Sequence, residues 1–250
     1  LDGVSFSKDG SLVAYSISEA GSDWRKVIFI DAKTKQSIGE PLVDVKFSGL
    51  SWKGNEGIFY SSYEKPKGSE LSAKTDQHRL FFHKLGTKQA EDAILFGDQE
   101  KRRYVGGYVS DDNRYLFISA ANSTSGNELY LKDLSVPNSP IVAIHKGFEY
   151  DVDVLDNIGT TLFIVTNLKA PNKRIVTVDV ANPGVENWKD LIPETEQVLN
   201  PSTGAGYIFA NYMKDAVSVV KQFDYKGKLI TEPATEDLEL KNFNKNHKTT

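Results

Sequence analysis

Val4-Ser5-Phe6-Ser7-Lys8-Asp9-Gly10-Ser11-Leu12-Val13-Ala14-Tyr15 is the stretch from which the fold is read. Apolar and polar residues alternate on both sides of Asp9-Gly10, and an Asp-Gly pair supplies the positive φ that a tight turn demands, so the stretch reads as a β-hairpin. The shape returns at Leu50-Ser51-Trp52-Lys53-Gly54-Asn55 before Ile58-Phe59-Tyr60, and at Tyr108-Val109-Ser110-Asp111-Asp112-Asn113 before Tyr115-Leu116-Phe117-Ile118. A weaker copy is Val152-Asp153-Val154-Leu155-Asp156-Asn157 before Thr161-Leu162-Phe163-Ile164-Val165. A last copy at Gly206-Tyr207-Ile208-Phe209-Ala210 has lost the Asp-Gly turn.

Behind each hairpin comes a short strand ending in a polar turn: Ile28-Phe29-Ile30-Asp31, Phe81-Phe82-His83-Lys84, Leu129-Tyr130-Leu131-Lys132, Val176-Thr177-Val178-Asp179 and Lys221-Gln222-Phe223-Asp224. Their starts lie about 45 to 53 residues apart, the period of propeller blades. About five repeats are counted, each a hairpin, a third strand and a polar fourth segment. No segment carries a helical apolar stripe; Gly, Pro, Asn and Asp punctuate at strand spacing. The expected fold is all-β: a β-propeller of four-stranded antiparallel blades over residues 1–232, with 233–250 a divergent flexible tail rich in Lys and Asn. A β-sandwich is the competing architecture, but a sandwich has no reason to repeat strand order and turn chemistry.

Composition narrows the function classes. The formal charge of −4 argues against nucleic acid, which needs a concentrated basic face; Lys101-Arg102-Arg103 reads as a solvated turn. No apolar run reaches the roughly 20 residues of a membrane helix. With Cys 0, disulfides, thiolate zinc sites and a cysteine nucleophile are excluded. The compartment stays open between cytoplasm and periplasm, and because Leu1 already reads as strand, an N-terminus further upstream is expected.

The sequence carries no catalytic constellation. There is no Gly-x-Ser-x-Gly elbow; Thr203-Gly204-Ala205-Gly206 has glycines without a serine between them. His78 and His83, five residues apart, would face opposite sides of one strand, which argues against a joint metal site; polar strand or loop positions are the preferred reading. Asp151 and Asp153 share a strand face and read as the wet side of an outer strand rather than an acid–base pair. No phosphate loop is present, and no cofactor or metal is called for.

Specific residues then point to a family. Ser18-Glu19-Ala20-Gly21-Ser22-Asp23-Trp24 after the first hairpin resembles the propeller domain of the prolyl oligopeptidases, as does Val45-Lys46-Phe47-Ser48-Gly49-Leu50-Ser51-Trp52 followed by Gly57-Ile58-Phe59-Tyr60-Ser61. The match continues through His78-Arg79-Leu80-Phe81-Phe82-His83-Lys84-Leu85-Gly86-Thr87, Glu91-Asp92, Tyr150-Asp151, Asn167 and Pro171-Asn172, from about Leu1 to Glu232. The resemblance implies a seven-bladed propeller over an α/β-hydrolase domain that supplies Ser, Asp and His and cleaves short peptides after proline. The propeller would be its lid, with mobile loops that exclude folded proteins.

Residue by residue, the family's aromatic pocket position falls on Phe47, an apolar wall for residues around the scissile proline. A second apolar position, Met in the family, is Val105 here, and the family's pocket arginine has no counterpart in Ala121 to Thr124. The polar insertion between Tyr60 and Phe81, marked by Glu64, Gly68 and Asp76, matches the gating loop. With about five repeats and no hydrolase domain, the chain is expected to be an inactive fragment. Its partners would be the catalytic domain of the same parent chain and short proline-containing peptides, and its open sheet edges would promote self-association. Two other readings stay open: a free-standing propeller that binds a protein or ligand, and the lid of an acylaminoacyl- or dipeptidyl-type peptidase.

Overall fold

A computed structural model describes residues 1–18, 21–64, 76–214 and 217–231. Among these residues the regular structure is β, apart from the single 3-10 turns Gln89–Glu91 and Val185–Asn187. In the described residues twenty strands form five sheets, each a four-stranded antiparallel meander in sequence order. The first sheet holds β1 Gly3–Phe6, β2 Leu12–Ser18, β3 Trp24–Asp31 and β4 Leu42–Lys46. The second holds β5 Ser51–Lys53, β6 Gly57–Ser62, β7 Arg79–Lys84 and β8 Ala93–Phe96. The third holds β9 Tyr104–Val109, β10 Tyr115–Ala121, β11 Glu128–Asp133 and β12 Ile141–His145. The fourth holds β13 Val152–Ile158, β14 Thr161–Thr166, β15 Arg174–Asp179 and β16 Lys189–Ile192, and the fifth β17 Leu199–Gly204, β18 Tyr207–Lys214, β19 Val217–Phe223 and β20 Leu229–Thr231. The first three sheets make one compact unit, Leu1–Phe148, and the last two belong to a second, Glu149–Thr250.

Within the first unit each sheet packs face to face on the next. Leu12, Ala14, Val27 and Phe29 of the first sheet meet Trp52, Ile58 and Tyr60 of the second. Phe59 and Leu80, on the second sheet's other face, meet Val105, Leu116, Ile118 and Ala120 of the third. The middle sheet is thus covered on both sides, and β6 is buried at all six of its positions where a one-sided strand would alternate. The second unit repeats the pattern with one interface: Leu155, Phe163 and Ile175 of the fourth sheet against Leu199, Ile208 and Tyr212 of the fifth.

The first strands of the first unit are also stitched side by side. Ser5 Oγ in β1 donates to the Leu50 carbonyl at 3.0 Å, and Ser51 Oγ in β5 accepts the Val109 N–H of β9 at 2.8 Å. Their hairpin turns converge: Lys8 Nζ donates to the Asp111 carbonyl, and Asn55 Nδ2 donates to Asp9 Oδ2 at 2.7 Å. Three sheets joined through neighbouring first strands and converging turns are blades, not the two face-packed sheets of a sandwich.

The turns follow the repeat down to single atoms. In the first, Asp9 Oδ1 accepts from Ser7 Oγ and Ser11 N–H, while Ser7 Oγ accepts Leu12 N–H. In the third, Asp112 Oδ1 accepts from Ser110 Oγ and Arg114 N–H, while Ser110 Oγ accepts Tyr115 N–H. The positive φ falls on Gly10 in one and on Asn113 in the other.

Three details differ from the sequence expectation. Asp156 and Asn157 are not the fourth hairpin's turn; a bulge between Val154 and Asp156 carries β13 on to Ile158, and the reversal is at Gly159-Thr160. The fifth hairpin keeps a two-residue turn without Asp, Ala205 and Gly206 both adopting positive φ (49 and 81). The fourth segments are not merely polar: Leu42, Val45, Ile144 and Ile192 are buried. The expected tail 233–250 lies outside the described residues.

Candidate functional site

Phe47 sits at the exit of β4, where the backbone is bent twice. Leu42 pairs with Val27 and Val45 with Arg25, so β4 carries one extra residue, and Asp44 in the bulge has φ 55. Phe47 has φ 52, an outlier for a bulky side chain that costs about 1–3 kcal/mol and persists only where neighbours enforce it. The neighbours are hydroxyls: Ser62 Oγ donates to the Asp44 carbonyl at 2.6 Å, and Ser48 Oγ accepts the Ser61 N–H at 2.7 Å. Bent this way, the Phe47 side chain stays 44% exposed.

Two tyrosines form the floor beneath it. The Tyr63 ring meets Phe47 edge-on at 6.2 Å, and Tyr104 lies tilted at 6.3 Å. Burial pushes the Tyr63 phenol up to about 12, so it stays protonated and donates to the Arg103 carbonyl. Lys46 Nζ stands 5.1 Å from both the Trp24 and Phe47 rings and 3.5 Å from the Asp23 carboxylate.

Behind the tyrosines His78 is fully buried. Its backbone N–H donates to the Arg102 carbonyl at 2.7 Å, and its ring stacks on Tyr63 at 4.3 Å. Nδ1 accepts the Val105 N–H at 2.8 Å, which leaves the ring proton on Nε2, 2.9 Å from the Lys46 carbonyl. Burial pulls the imidazole down to about 4. Gly97 lets this segment approach: with φ 91, any Cβ there would stand 2.3 Å from the His78 carbonyl oxygen.

The expected site residues therefore separate. Phe47 is presented at the surface, whereas Val105 is 2% exposed, packed among Leu80, Leu116 and Ile118, and offers no open apolar face. Of the residues expected in a gating loop, Glu64 pairs with Arg79 at 4.0 Å and Asp76 with Lys101 at 3.2 Å, at the two ends of the insertion. Gly68 lies outside the described residues.

Burial refines other sequence readings and corrects the one for Arg102. His78 and His83 are interior groups: His83 stacks on Phe29 at 5.4 Å, and its Nδ1 lies 2.8 Å from Asp92, which also accepts from Tyr60 Oη. Arg102 is no solvated turn residue; its Nε donates to the buried Glu128 at 2.8 Å and its guanidinium lies over Phe148. Asp151 closes a loop with Asn167, and Asp153 is exposed. Among the described residues no group of three or more His, Cys, Asp or Glu is placed to hold a metal ion.

Residues 1–250 match the family model described as prolyl oligopeptidase, N-terminal beta-propeller domain. The chain belongs to that family. This propeller domain is 56% identical to the prolyl endopeptidase of Elizabethkingia meningoseptica over 232 residues, 92% of the chain and 33% of that protein. It is 29% identical to prolyl oligopeptidase A of Galerina marginata (strain CBS 339.88), across 94% of the chain and 35% of that protein. Among solved structures, one from "Structural and Mechanistic Analysis of Two Prolyl Endopeptidases: Role of Inter-Domain Dynamics in Catalysis and Specificity" matches with a TM-score of 0.83 at 31% identity, covering 92% of this chain and 33% of that one. Prolyl oligopeptidase B from Galerina marginata, bound to a 35mer hydrolysis and macrocyclization substrate, matches with a TM-score of 0.82 at 22% identity, covering 93% and 35%, a likeness of fold. The propeller domain thus spans about a third of the length of these relatives. Among the described residues no helix is long and apolar enough to cross a membrane.

Proposed function

We propose that this propeller is the lid of a prolyl endopeptidase, admitting short peptides to a serine-peptidase domain that carries out hydrolysis after proline. The observation that carries the reading is Phe47: an exposed aromatic ring, held at a strained backbone position over two tyrosines. Strain maintained by hydroxyl clamps is expected where a side chain must be presented rather than packed. The flat apolar ring would form one wall for residues around the scissile proline. Val105 supports this wall from the core and does not touch the peptide. The insertion bounded by Glu64 and Asp76 would gate entry. The exposed ion pairs at its ends are individually worth little, which suits a segment that must open.

The test is Phe47→Ala in the full-length peptidase. Removing an exposed wall should raise KM for a short Gly-Pro peptide roughly five- to thirtyfold, the equivalent of about 1–2 kcal/mol of lost apolar contact. Stability should change by less than about 1 kcal/mol. An unchanged KM with a large drop in Tm would make Phe47 a packing residue and remove the proposed wall.

A further inference from the structure

We infer that His78 is a positioning residue for Phe47: through Nε2–H it holds the Lys46 carbonyl, and so fixes the backbone from which the exposed ring is presented. The inference rests on the proposed role of Phe47 in peptide binding.

Three strands of observation converge on it. The first is connectivity. His78 joins segments distant in sequence by three hydrogen bonds: to Lys46 at the end of β4, to Arg102 before β9, and from Val105 within β9. Phe47 is the next residue after Lys46, and Tyr104 lies between the other two, so the wall and part of its floor hang on one residue, through its ring at Lys46 and Val105 and its backbone N–H at Arg102. The second is ring contact. His78 stacks on Tyr63, which meets Phe47 edge-on, giving an unbroken path from the buried imidazole to the exposed phenyl. The third is place. His78 follows Asp76 by two residues, so the far end of the expected gating insertion is anchored on the group that holds the wall. Core filling alone would need neither a defined tautomer nor two opposed backbone partners, and a buried polar ring is costly unless both nitrogens are satisfied, as they are here.

The two ring nitrogens can be tested separately in the full-length peptidase. In His78→Asn the amide oxygen takes the place of Nδ1 and keeps Val105, but no donor reaches Lys46. In His78→Gln the amide nitrogen takes the place of Nε2 and keeps Lys46. His78→Asn is expected to raise KM for the Gly-Pro peptide roughly three- to tenfold, the range of one lost hydrogen bond. His78→Gln should stay within about twofold of the unmodified protein although it too loses one bond. In a Phe47→Ala background, His78→Asn should have no further effect on KM, because its route of action is gone.

Equal KM effects of the two variants, a folded His78→Asn with unchanged KM, an effect that persists without Phe47, or failure of both variants to fold would each overturn the inference. If Phe47→Ala alone leaves KM unchanged while His78→Asn raises it, the proposed wall fails; if Phe47→Ala raises KM and His78→Asn does not, only the positioning role fails.

Discussion

His78 illustrates how one buried polar residue sets both geometry and acid sensitivity. Its ring is neutral because burial disfavours the charged form, and both of its nitrogens face backbone partners rather than carboxylates. With a folded pKa of about 4 against 6.5 for the free side chain, the unfolded chain binds more protons between those values. Stability from this group is therefore complete above about pH 6.5 and falls as pH drops towards 4, by on the order of 3 kcal/mol in total. The carboxylates held low by local hydrogen bonds, Asp9, Asp31 and Asp179, act in a separate window below their ordinary value of 3.8. Urea unfolding across pH 4 to 7 should show the His78 slope in the unmodified protein and its loss in His78→Gln; equal slopes would refute a buried neutral imidazole. At this scale the sequence was partly legible. Phe47 stands out in the sequence because the motif around it is distinctive. His78, Tyr63 and Tyr104 were missed as a group because they come from three separated segments, and strand periodicity says nothing about which strand ends meet. For the same reason an apolar residue beside Gly106-Gly107 looks alike in sequence whether it lines a pocket or a core; in the structure Val105 is buried among Leu80, Leu116 and Ile118.

The hairpin turn is the element that the sequence announces most clearly. The Ser-x-Asp pattern of Ser7-Lys8-Asp9 and Ser110-Asp111-Asp112 gives two turns with matching hydrogen bonds. Each serine hydroxyl accepts the N–H of the first residue of the following strand, a hydrogen bond that alanine cannot make. Ser110→Ala should therefore destabilise the chain by about 1–2 kcal/mol, and Ser7→Ala by a similar amount. Thermal or denaturant unfolding of both variants checks this, and a change below about 0.3 kcal/mol in either would mean that water replaces the hydroxyl. The fourth hairpin was harder to place because a bulge shifts Asp156 and Asn157 into the strand, and Tyr225 Oη then donates to the Asp156 carboxylate. Bulges leave no period-two signature, so sequence alone put the turn a few residues early. The fourth strands were read as polar because they are short and their buried residues, such as Leu42 and Val45, are separated by an irregular register.

For the whole molecule, repetition made the fold legible: five hairpins and five third strands recur at blade spacing, and the described residues form five four-stranded sheets. Activity was legible only through the family resemblance, because this chain displays an exposed aromatic ring and its supports while the hydrolytic groups of the proposed peptidase would belong to another domain. The most direct measurement is hydrolysis of one Gly-Pro sequence, presented as a short peptide and within a folded protein, by the purified chain and by the full-length peptidase. The account predicts that the chain alone cleaves neither, and that the full-length protein cleaves the short peptide and spares the folded one. Hydrolysis by the chain alone, or equal cleavage of both substrates by the full-length protein, would contradict it.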